Sequence, residues 1–283
     1  MQTVDVVLCA LNKSTVEQVG YTRRGPEGYG LTLILRLLLY AVLAEKFTTR
    51  KLLKHLRKRP RILKRLGFQG LPSRRTIDAW QQKYDFLLGQ VIKLVGDRYL
   101  QLNESEWTIL DSTPIEDWHD PEGKWGHTSK GRFWGFKLHA SCDEYCVPLR
   151  ACFTTGNVHD SQCAFDLLAP TFYVGGDSAY DFEALKITVV EQDSKGYFVH
   201  NPRREGKEKK RPTPKILSKF RVCVEQCNSI LKEQVLQRKW TDIKGFAKKA
   251  TRCLLAVLAL QALAIYNLLT WGYPGVRIGD LRA

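Results

Sequence analysis

The chain has 283 residues, of which 44% are hydrophobic, and its 44 Lys and Arg against 29 Asp and Glu give a formal net charge of +15. The apolar content is enough for the core of one large or two ordinary domains. The basic surplus indicates a polyanionic partner, either nucleic acid or an anionic membrane surface. Several of the eight cysteines lie in apolar runs, which excludes a small disulfide-stapled fold and favours a reduced, cytosolic protein.

The first third of the chain is predicted to hold a segment of uncertain order followed by an all-helical region. Residues 1–29 carry an acidic residue and lack a charged start followed by an apolar run, so they do not match a signal peptide. Residues 30–103 begin with the strongly apolar LTLILRLLLYAVLAEKF, which predicts a helix. The next helix is expected in TTRKLLKHLRKRPRILKRLGF, where Thr48 or Thr49 would be the N-cap.

The helical region carries a strongly basic run. Between Arg50 and Arg75 there are eleven Lys and Arg and no Asp or Glu. Pro72 and Ser73 predict a turn and a cap before a helix that starts near Arg75. A basic helix, a tight turn and a second basic helix start are typical of a helix-turn-helix-like DNA-binding unit, with Arg74 and Arg75 facing DNA. A charged, solvated helix bundle is the alternative.

Residues 104–272 have a mixed α/β pattern. EWTILDST, RFWGFKLHASCD and CVPLRACFTTG predict three strands, with a turn near Asp143 between the second and the third. NVHDSQCAFDLLAP predicts a helix, TFYVGGDSAYD a strand and turn, DFEALKITVVEQ a helix and GYFVHNP a short strand. The basic loop PRREGKEKKRPTPK then leads to the helix FRVCVEQCNSILK. This order predicts an α/β fold, a mixed sheet with helices on its faces.

The last long apolar run, Cys253 to Leu269, is predicted to be a buried helix, and residues 273–283 to be a C-terminal tail. The run is shorter than the roughly 20 apolar residues of a membrane span. It also contains Gln261 and Asn267. A membrane protein built on this run is the alternative.

Three acidic residues stand out by position. Asp111 follows the apolar strand WTIL, Asp177 follows FYVGG, and Glu225 lies on the late helix. Acids at strand ends lie on the rim of a sheet, where sites form in open α/β folds. Carboxylates that converge there repel one another unless a cation neutralises them. Oxygen ligands alone select Mg²⁺ or Mn²⁺, and two such ions can drive phosphoryl displacement. Ordinary turn or capping acids are the alternative.

The helix FRVCVEQCNSILK carries a line of polar residues beside its apolar face. At about 100° per residue, four side chains fall within a narrow arc: Arg221, Glu225, Asn228 and Lys232. Cys223 and Cys227 lie on the opposite face. They and the pair formed by Cys142 and Cys146 have CxxxC spacing, whereas structural zinc sites more often use CxxC, so packing is favoured over zinc.

Four blocks in this order resemble the DDE transposases of prokaryotic insertion sequences. ILDSTPI resembles the family's first-aspartate segment, and GGDSAYD its second-aspartate strand and turn. KGRFWGFKLHASCDEYCVPLRACFTTGNVHDSQCAFDLL is similar to its strand, hairpin and Asn-x-His-Asp-Ser region. RVCVEQCNSILK resembles its final helix. The resemblance runs from about Leu110 to Asn267, and GLPSRRTIDAW resembles the turn of the family's DNA-binding segment.

The resemblance implies an RNase H-like core preceded by an all-α DNA-binding region. It makes Asp111, Asp177 and Glu225 a metal-binding triad for Mg²⁺ or Mn²⁺, with two ions. Arg221 and Lys232 would contact phosphates of the transposon end, and Asn228 would position the glutamate or contact DNA. The family's tyrosine before the arginine is replaced by Ser218, and the short spacing before the glutamate leaves no room for a β-rich insertion domain. Both departures favour the compact subgroup.

The function implied is metal-dependent cutting at the ends of an insertion sequence, followed by attack of the 3′-hydroxyl ends on target DNA. The implied partners are double-stranded DNA, as terminal inverted repeats and target, and further copies of the chain in a homodimer or higher assembly. No membrane is expected, and the location is the cytoplasm at the nucleoid. The alternatives are an RNase H-like nuclease without strand transfer and an inactive DNA-binding derivative.

Other side chains in the matched blocks have two interpretations each. Lys137 would face DNA or solvent. Two histidines would touch DNA or a metal, or fix turns: His139 and His159. Three tryptophans around the loop that follows the first aspartate would stack on an unpaired base or pack under the loop: Trp118, Trp125 and Trp134.

Overall fold

The structure is a computed structural model that describes residues 29–128, 131–201, 212 and 215–275. The predicted N-terminal segment, the basic loop after Asn201 and most of the predicted tail lie outside these residues, apart from a few at their ends. The N-terminal region is helical, with α1 (Leu31–Leu43), α2 (Thr49–Arg57), α3 (Pro60–Arg65), α4 (Arg74–Gln81) and α5 (Tyr84–Leu102).

Two of these helices begin at the predicted caps. The Thr48 hydroxyl accepts a hydrogen bond from Lys51 N at 3.2 Å, and the Ser73 hydroxyl accepts one from Thr76 N at 3.0 Å. Each bond satisfies a backbone amide that the first turn of a helix leaves without a partner. Helices α2 and α4 therefore begin at predicted cap residues, Thr48 and Ser73.

The strands form one mixed sheet. They are β1 (Trp107–Glu116), β2 (Lys124–Thr128), β3 (Gly131–Cys142), β4 (Pro148–Thr155), β5 (Tyr173–Gly176) and β6 (Lys195–Phe198). Their order is β2-β3-β1-β5-β6, and β4 also pairs with β3. β1 is antiparallel to β3 and parallel to β5, which is parallel to β6. The predicted mixed sheet with flanking helices is confirmed, and it is consistent with an RNase H-like core.

The later helices are α6 (Glu183–Glu191), α7 (Lys215–Ser229) and α8 (Phe246–Trp271). After α7 the chain continues as a π-helical segment, Ile230–Val235. The predicted single helix FRVCVEQCNSILK is therefore corrected, because its last residues follow a wider turn than an α-helix.

Two further predictions are corrected. The helix expected in NVHDSQCAFDLLAP is a pair of short 3₁₀ turns, Asp160–Gln162 and Phe165–Leu167. The His159 side chain caps the first turn by accepting from Ser161 N at 3.2 Å, which favours a local turn over a longer helix. Strand β2 was not predicted, because only its central Gly126 is buried and KWGHT has no apolar alternation.

The N-terminal helices and the sheet share one hydrophobic core. It runs from Ile34 on α1 through Ile92 on α5 and Phe136 on β3 to Leu258 on α8. A smaller cluster on the other sheet face includes Leu110, with residues of α6 and the 3₁₀ turns. The two regions predicted from the sequence are thus packed as one body.

Helix α8 lies at the centre of this core. By length and composition it is apolar enough to cross a membrane, yet 78% of its most apolar window is buried inside the protein. It packs against α1, α5 and β4. The prediction of a buried C-terminal helix is confirmed.

Candidate active site

Two of the predicted acidic residues meet at the centre of the sheet. β1 and β5 are parallel and pair Leu110 with Gly176, so Asp111 and Asp177 follow on adjacent strands. Side chains alternate between the faces of a strand, and Leu110 belongs to the smaller core, so Asp111 lies on the face covered by α7. The structure therefore brings these two aspartates together where β5 ends.

The electrostatics of this place disfavour ionised carboxyl groups. Burial is the main cause that raises the pKa of Asp111 to about 7, and the charges of Asp177 and Asp160 raise it further. The backbone amide of Ser112 and the Arg221 guanidinium act in the opposite direction. Burial also raises the pKa of Asp177 above its usual range. The neighbouring carboxylates repel one another when they are ionised, and a bound cation would relieve this repulsion.

Asp160 is the carboxylate that sequence analysis did not single out. Lys137 Nζ donates to Asp160 Oδ1 at 2.9 Å and to Val158 O at 3.1 Å, and His139 Nδ1 lies 3.5 Å from the same carboxylate oxygen. The signal in the sequence was its place in the His-Asp-Ser motif of a matched block. The Lys137 side chain is only 8% exposed and its ammonium is held inside the protein, and its contact with DNA stays a prediction.

Asn228 on α7 contacts the first aspartate directly. Its Nδ2 donates to Asp111 Oδ2 at 2.9 Å, and the residue is 6% exposed. The packing of α7 on β1 buries Asn228, and its contact with DNA stays a prediction. Asn228 Oδ1 and the hydroxyl of fully buried Tyr180 have no hydrogen-bond partner among the described residues. Buried polar atoms of this kind are uncommon and indicate a missing partner.

Glu225 lies one helical turn before Asn228 but is not packed against the aspartates. Its side chain is 65% exposed, and its carboxylate lies 4.0 Å from the Arg221 guanidinium. In the part of the chain that the structure describes, no three His, Cys, Asp or Glu side chains are placed to hold a metal ion. The structure thus joins two members of the predicted triad and leaves Glu225 beside them. Lys232 falls in the π-helical segment, which breaks the predicted polar line.

A glycine sets the distance between α7 and the sheet. A Cβ atom on Gly175 would lie 2.8 Å from Cδ1 of the fully buried Leu217 on α7. Real Cβ contacts are essentially never that short. The absence of a side chain at Gly175 therefore lets α7 lie close to β5, just before Asp177.

The predicted DNA-facing arginines lie at the start of α4. Arg74 Nε is 3.3 Å from Asp78 Oδ2, with its side chain 69% exposed, and Arg75 is also exposed. Helix α4 is tied to α2 by a hydrogen bond of 2.7 Å from the Thr49 hydroxyl to Asp78 Oδ1. Both arginines are accessible on a supported helix, and contact with DNA stays a prediction.

The cysteines occur as packing residues in the described part of the chain, where those observed are free. Cys142 and Cys227 are fully buried in the larger core, with Cys146 and Cys223 packed against it.

Comparison with known families supports the same centre. The family described as transposase DDE domain matches residues 103–261, more than half of the chain. The match includes the paired aspartates, Asp160 and the helix with Glu225. No curated protein and no solved structure matches the chain.

Proposed function

The chain belongs to the transposase DDE domain family, and we propose that it cuts DNA at the ends of its insertion sequence and joins the freed 3′-hydroxyl ends to target DNA. The supporting observation is that Asp111 and Asp177 directly follow the paired residues Leu110 and Gly176 of two adjacent parallel strands, beside the helix that carries Arg221. Hydrolysis and joining are both in-line displacements at phosphorus, so one carboxylate site can serve both steps.

We assign Asp111, Asp177 and Glu225 as the residues that would hold Mg²⁺ or Mn²⁺, with two ions. The donor set fits these metals because it consists of carboxylate oxygens. The raised pKa of Asp111 and the unpartnered Tyr180 hydroxyl fit a place that lacks a cation and its ligands. When bound, the ions supply Lewis-acid stabilisation of the attacking and leaving oxygens. Glu225, being exposed, is open to such a ligand.

The neighbouring side chains have distinct proposed roles. Arg221 lowers the pKa of both aspartates while its side chain remains 42% exposed, so it can hold a DNA phosphate and favour ionised carboxylates together. Lys232 would bind a further phosphate. Asn228 fixes the orientation of Asp111 through its hydrogen bond.

The proposed partners follow from this chemistry. Double-stranded DNA, as terminal inverted repeats and as target, would contact the α2 to α4 region through Arg74 and Arg75. Two ends must be brought together for joining, so a homodimer or higher assembly is proposed. The place of action is the cytoplasm, at the nucleoid.

The test uses purified full chain, Mg²⁺ and linear DNA that carries the element's own terminal repeats. We expect cuts at the repeat ends and joined products in target DNA. Asp177→Asn should lower both by more than about 100-fold, since even residues that only support a metal ligand cost about 10- to 100-fold. Exposed Asp166→Asn is the matched control and should leave both unchanged.

Three results would contradict the proposal in different ways. Cuts without joined products would indicate a nuclease. DNA binding without cuts would indicate an inactive derivative. Unchanged activity in Asp177→Asn would remove that residue from the site.

A further inference from the structure

A cluster of three tryptophans lies at the far end of the β2–β3 hairpin. Trp125 and Trp134 are directly paired across the strands, with ring centroids 5.6 Å apart. Trp118, from the preceding loop, lies 5.4 Å from Trp125 with its ring nearly perpendicular. Trp118 is 58% exposed and Trp125 50% exposed. Two large aromatic rings are thus held together in solvent, which is a surface feature that requires explanation.

The loop that carries Trp118 is held in place by ion pairs with a buried lysine on α8. Lys249 on α8 is fully buried, and its ammonium lies 2.9 Å from Asp117 Oδ2 and also bonds Asp120. The Asp120 carbonyl accepts from Trp134 Nε1 at 2.9 Å. A buried ion pair of this kind is costly to break. These contacts hold the three tryptophans in place. The exposed rings of Trp118 and Trp125 are therefore not needed to pack the loop.

The surroundings of the two exposed rings suit an anion. His127 and Arg132 are paired directly across the hairpin, next to the Trp125–Trp134 pair and on the same face, and both are exposed. Lys124 is exposed beside Trp125. Two loop carboxylates, Asp117 and Asp120, pair with Lys249, and Lys244 lies 3.5 Å from Asp117. Aromatic rings beside cationic side chains are the combination that binds unpaired nucleotides.

The tryptophan cluster and the carboxylate site lie on the same face of the sheet. Asp111 pairs with Ala140 on β3, and strand alternation places Trp134 on the same sheet face, six residues along. At about 3.3 Å per residue the separation is about 20 Å, roughly six nucleotides of one strand.

We propose that Trp118 and Trp125 form a stacking platform for an unpaired base of the DNA strand close to the cut end. The platform takes the base by its face, and Arg132, on the same face of the hairpin, takes a neighbouring phosphate. This inference rests on the proposed function in so far as DNA is the substrate, but it requires neither cutting nor joining.

The test measures binding of two probes by the full chain in EDTA. One is a blunt duplex, and the other is the same duplex with a four-nucleotide single-stranded overhang that contains 2-aminopurine. We expect tighter binding of the overhang probe and quenching of 2-aminopurine by stacking. Trp125→Ala should remove the preference, by about 5- to 100-fold for one stacked base, and leave affinity for the blunt duplex unchanged. Trp118→Ala should act in the same direction.

Two controls separate stacking from folding. Trp125→Phe keeps an aromatic face and should retain most of the overhang preference. Trp271→Ala removes a more exposed tryptophan, 73% exposed at the end of α8, and should change nothing. An unchanged melting temperature in Trp125→Ala shows that the fold is intact.

Several outcomes overturn the inference. Equal binding of the two probes by the wild-type chain would overturn it, and so would unquenched 2-aminopurine. An overhang preference that survives both alanine variants would also overturn it and would indicate that the two rings bind a protein partner instead. Failure of the proposed function is distinguishable. If the chain neither cuts nor joins DNA but still prefers the overhang probe, the platform stands and the transposition chemistry is rejected.

Discussion

The site depends at the residue scale on a balance of charge. Asp111 is buried near two other carboxylates, and one arginine and one asparagine stabilise its ionised form. Asp111 and Asp177 could be predicted because acids directly after apolar runs are visible in the sequence. The His-Asp-Ser motif marks Asp160, but its approach to the site depends on how the 3₁₀ turn packs over Lys137 and His139.

The raised pKa of Asp111 predicts a pH-dependent stability in metal-free protein. The folded state holds the proton up to about pH 7, whereas the unfolded chain releases it near its usual value. Stability is therefore present at low pH and lost as pH rises through the folded pKa. Asp111→Asn removes this loss, so in EDTA at pH 8 it should raise the melting temperature, by roughly 2–4 °C for each kcal/mol recovered.

The pH comparison is the decisive part of this measurement. The gain from Asp111→Asn should shrink towards zero at pH 4, where the wild-type carboxyl group is protonated in the folded state. Asp166→Asn, at an exposed position, should show no such trend. A gain of equal size at both pH values would contradict the electrostatic explanation.

Helix α7 is the element that decides the geometry of the site. Periodicity predicted the helix and the side chains near the sheet, including Asn228. Two features escaped prediction, because they depend on neighbours distant in sequence: the π-helical segment after Ser229, and strand β2, which gains its place by pairing with β3. Gly175 of β5 meets Leu217 of α7 where the helix packs on the sheet.

Gly175→Ala tests this spacing. The added methyl group would clash with Leu217 and should destabilise the fold by about 1–3 kcal/mol, with slower DNA cutting because α7 is displaced. Leu217→Ala alone should cost about 2–5 kcal/mol by leaving a cavity. The double variant should cost less than the sum, because each change offsets the other, and chemical unfolding measures all three.

The control for this pair is Gly89→Ala on α5. A Cβ there meets nothing within 4 Å, so the substitution should be neutral or slightly stabilising. Costs that simply add in the double variant would show that Gly175 and Leu217 do not limit the approach of α7.

The whole molecule joins a basic helical region to an acidic centre through one core. The sequence separated the two regions by composition but could not show that α8 packs against both, because that contact joins distant segments. The basic run from Arg50 to Arg75 and the net charge of +15 indicate that affinity for DNA depends mainly on phosphate contacts.

The double variant Arg74→Ala with Arg75→Ala tests that contribution. It should weaken duplex binding about equally for all sequences. Each lost phosphate contact should reduce the slope of log K against log salt by about 0.9, so by about 2 in total. The charge-matched control is Lys93→Ala with Arg98→Ala, exposed on α5, which should leave the slope unchanged. If the Arg74/Arg75 variant and the control variant give the same slope of log K against log salt, α4 does not contact DNA.

The parallel pairing of β1 with β5 makes chain length more critical than side-chain identity around the two aspartates. One residue inserted into β1 before Asp111 would turn its carboxylate to the opposite sheet face, and two would restore the face but displace it by about 7 Å. Functional copies of this gene should therefore accumulate substitutions in β1 and β5 while excluding in-frame insertions and deletions between Trp107 and Asp111.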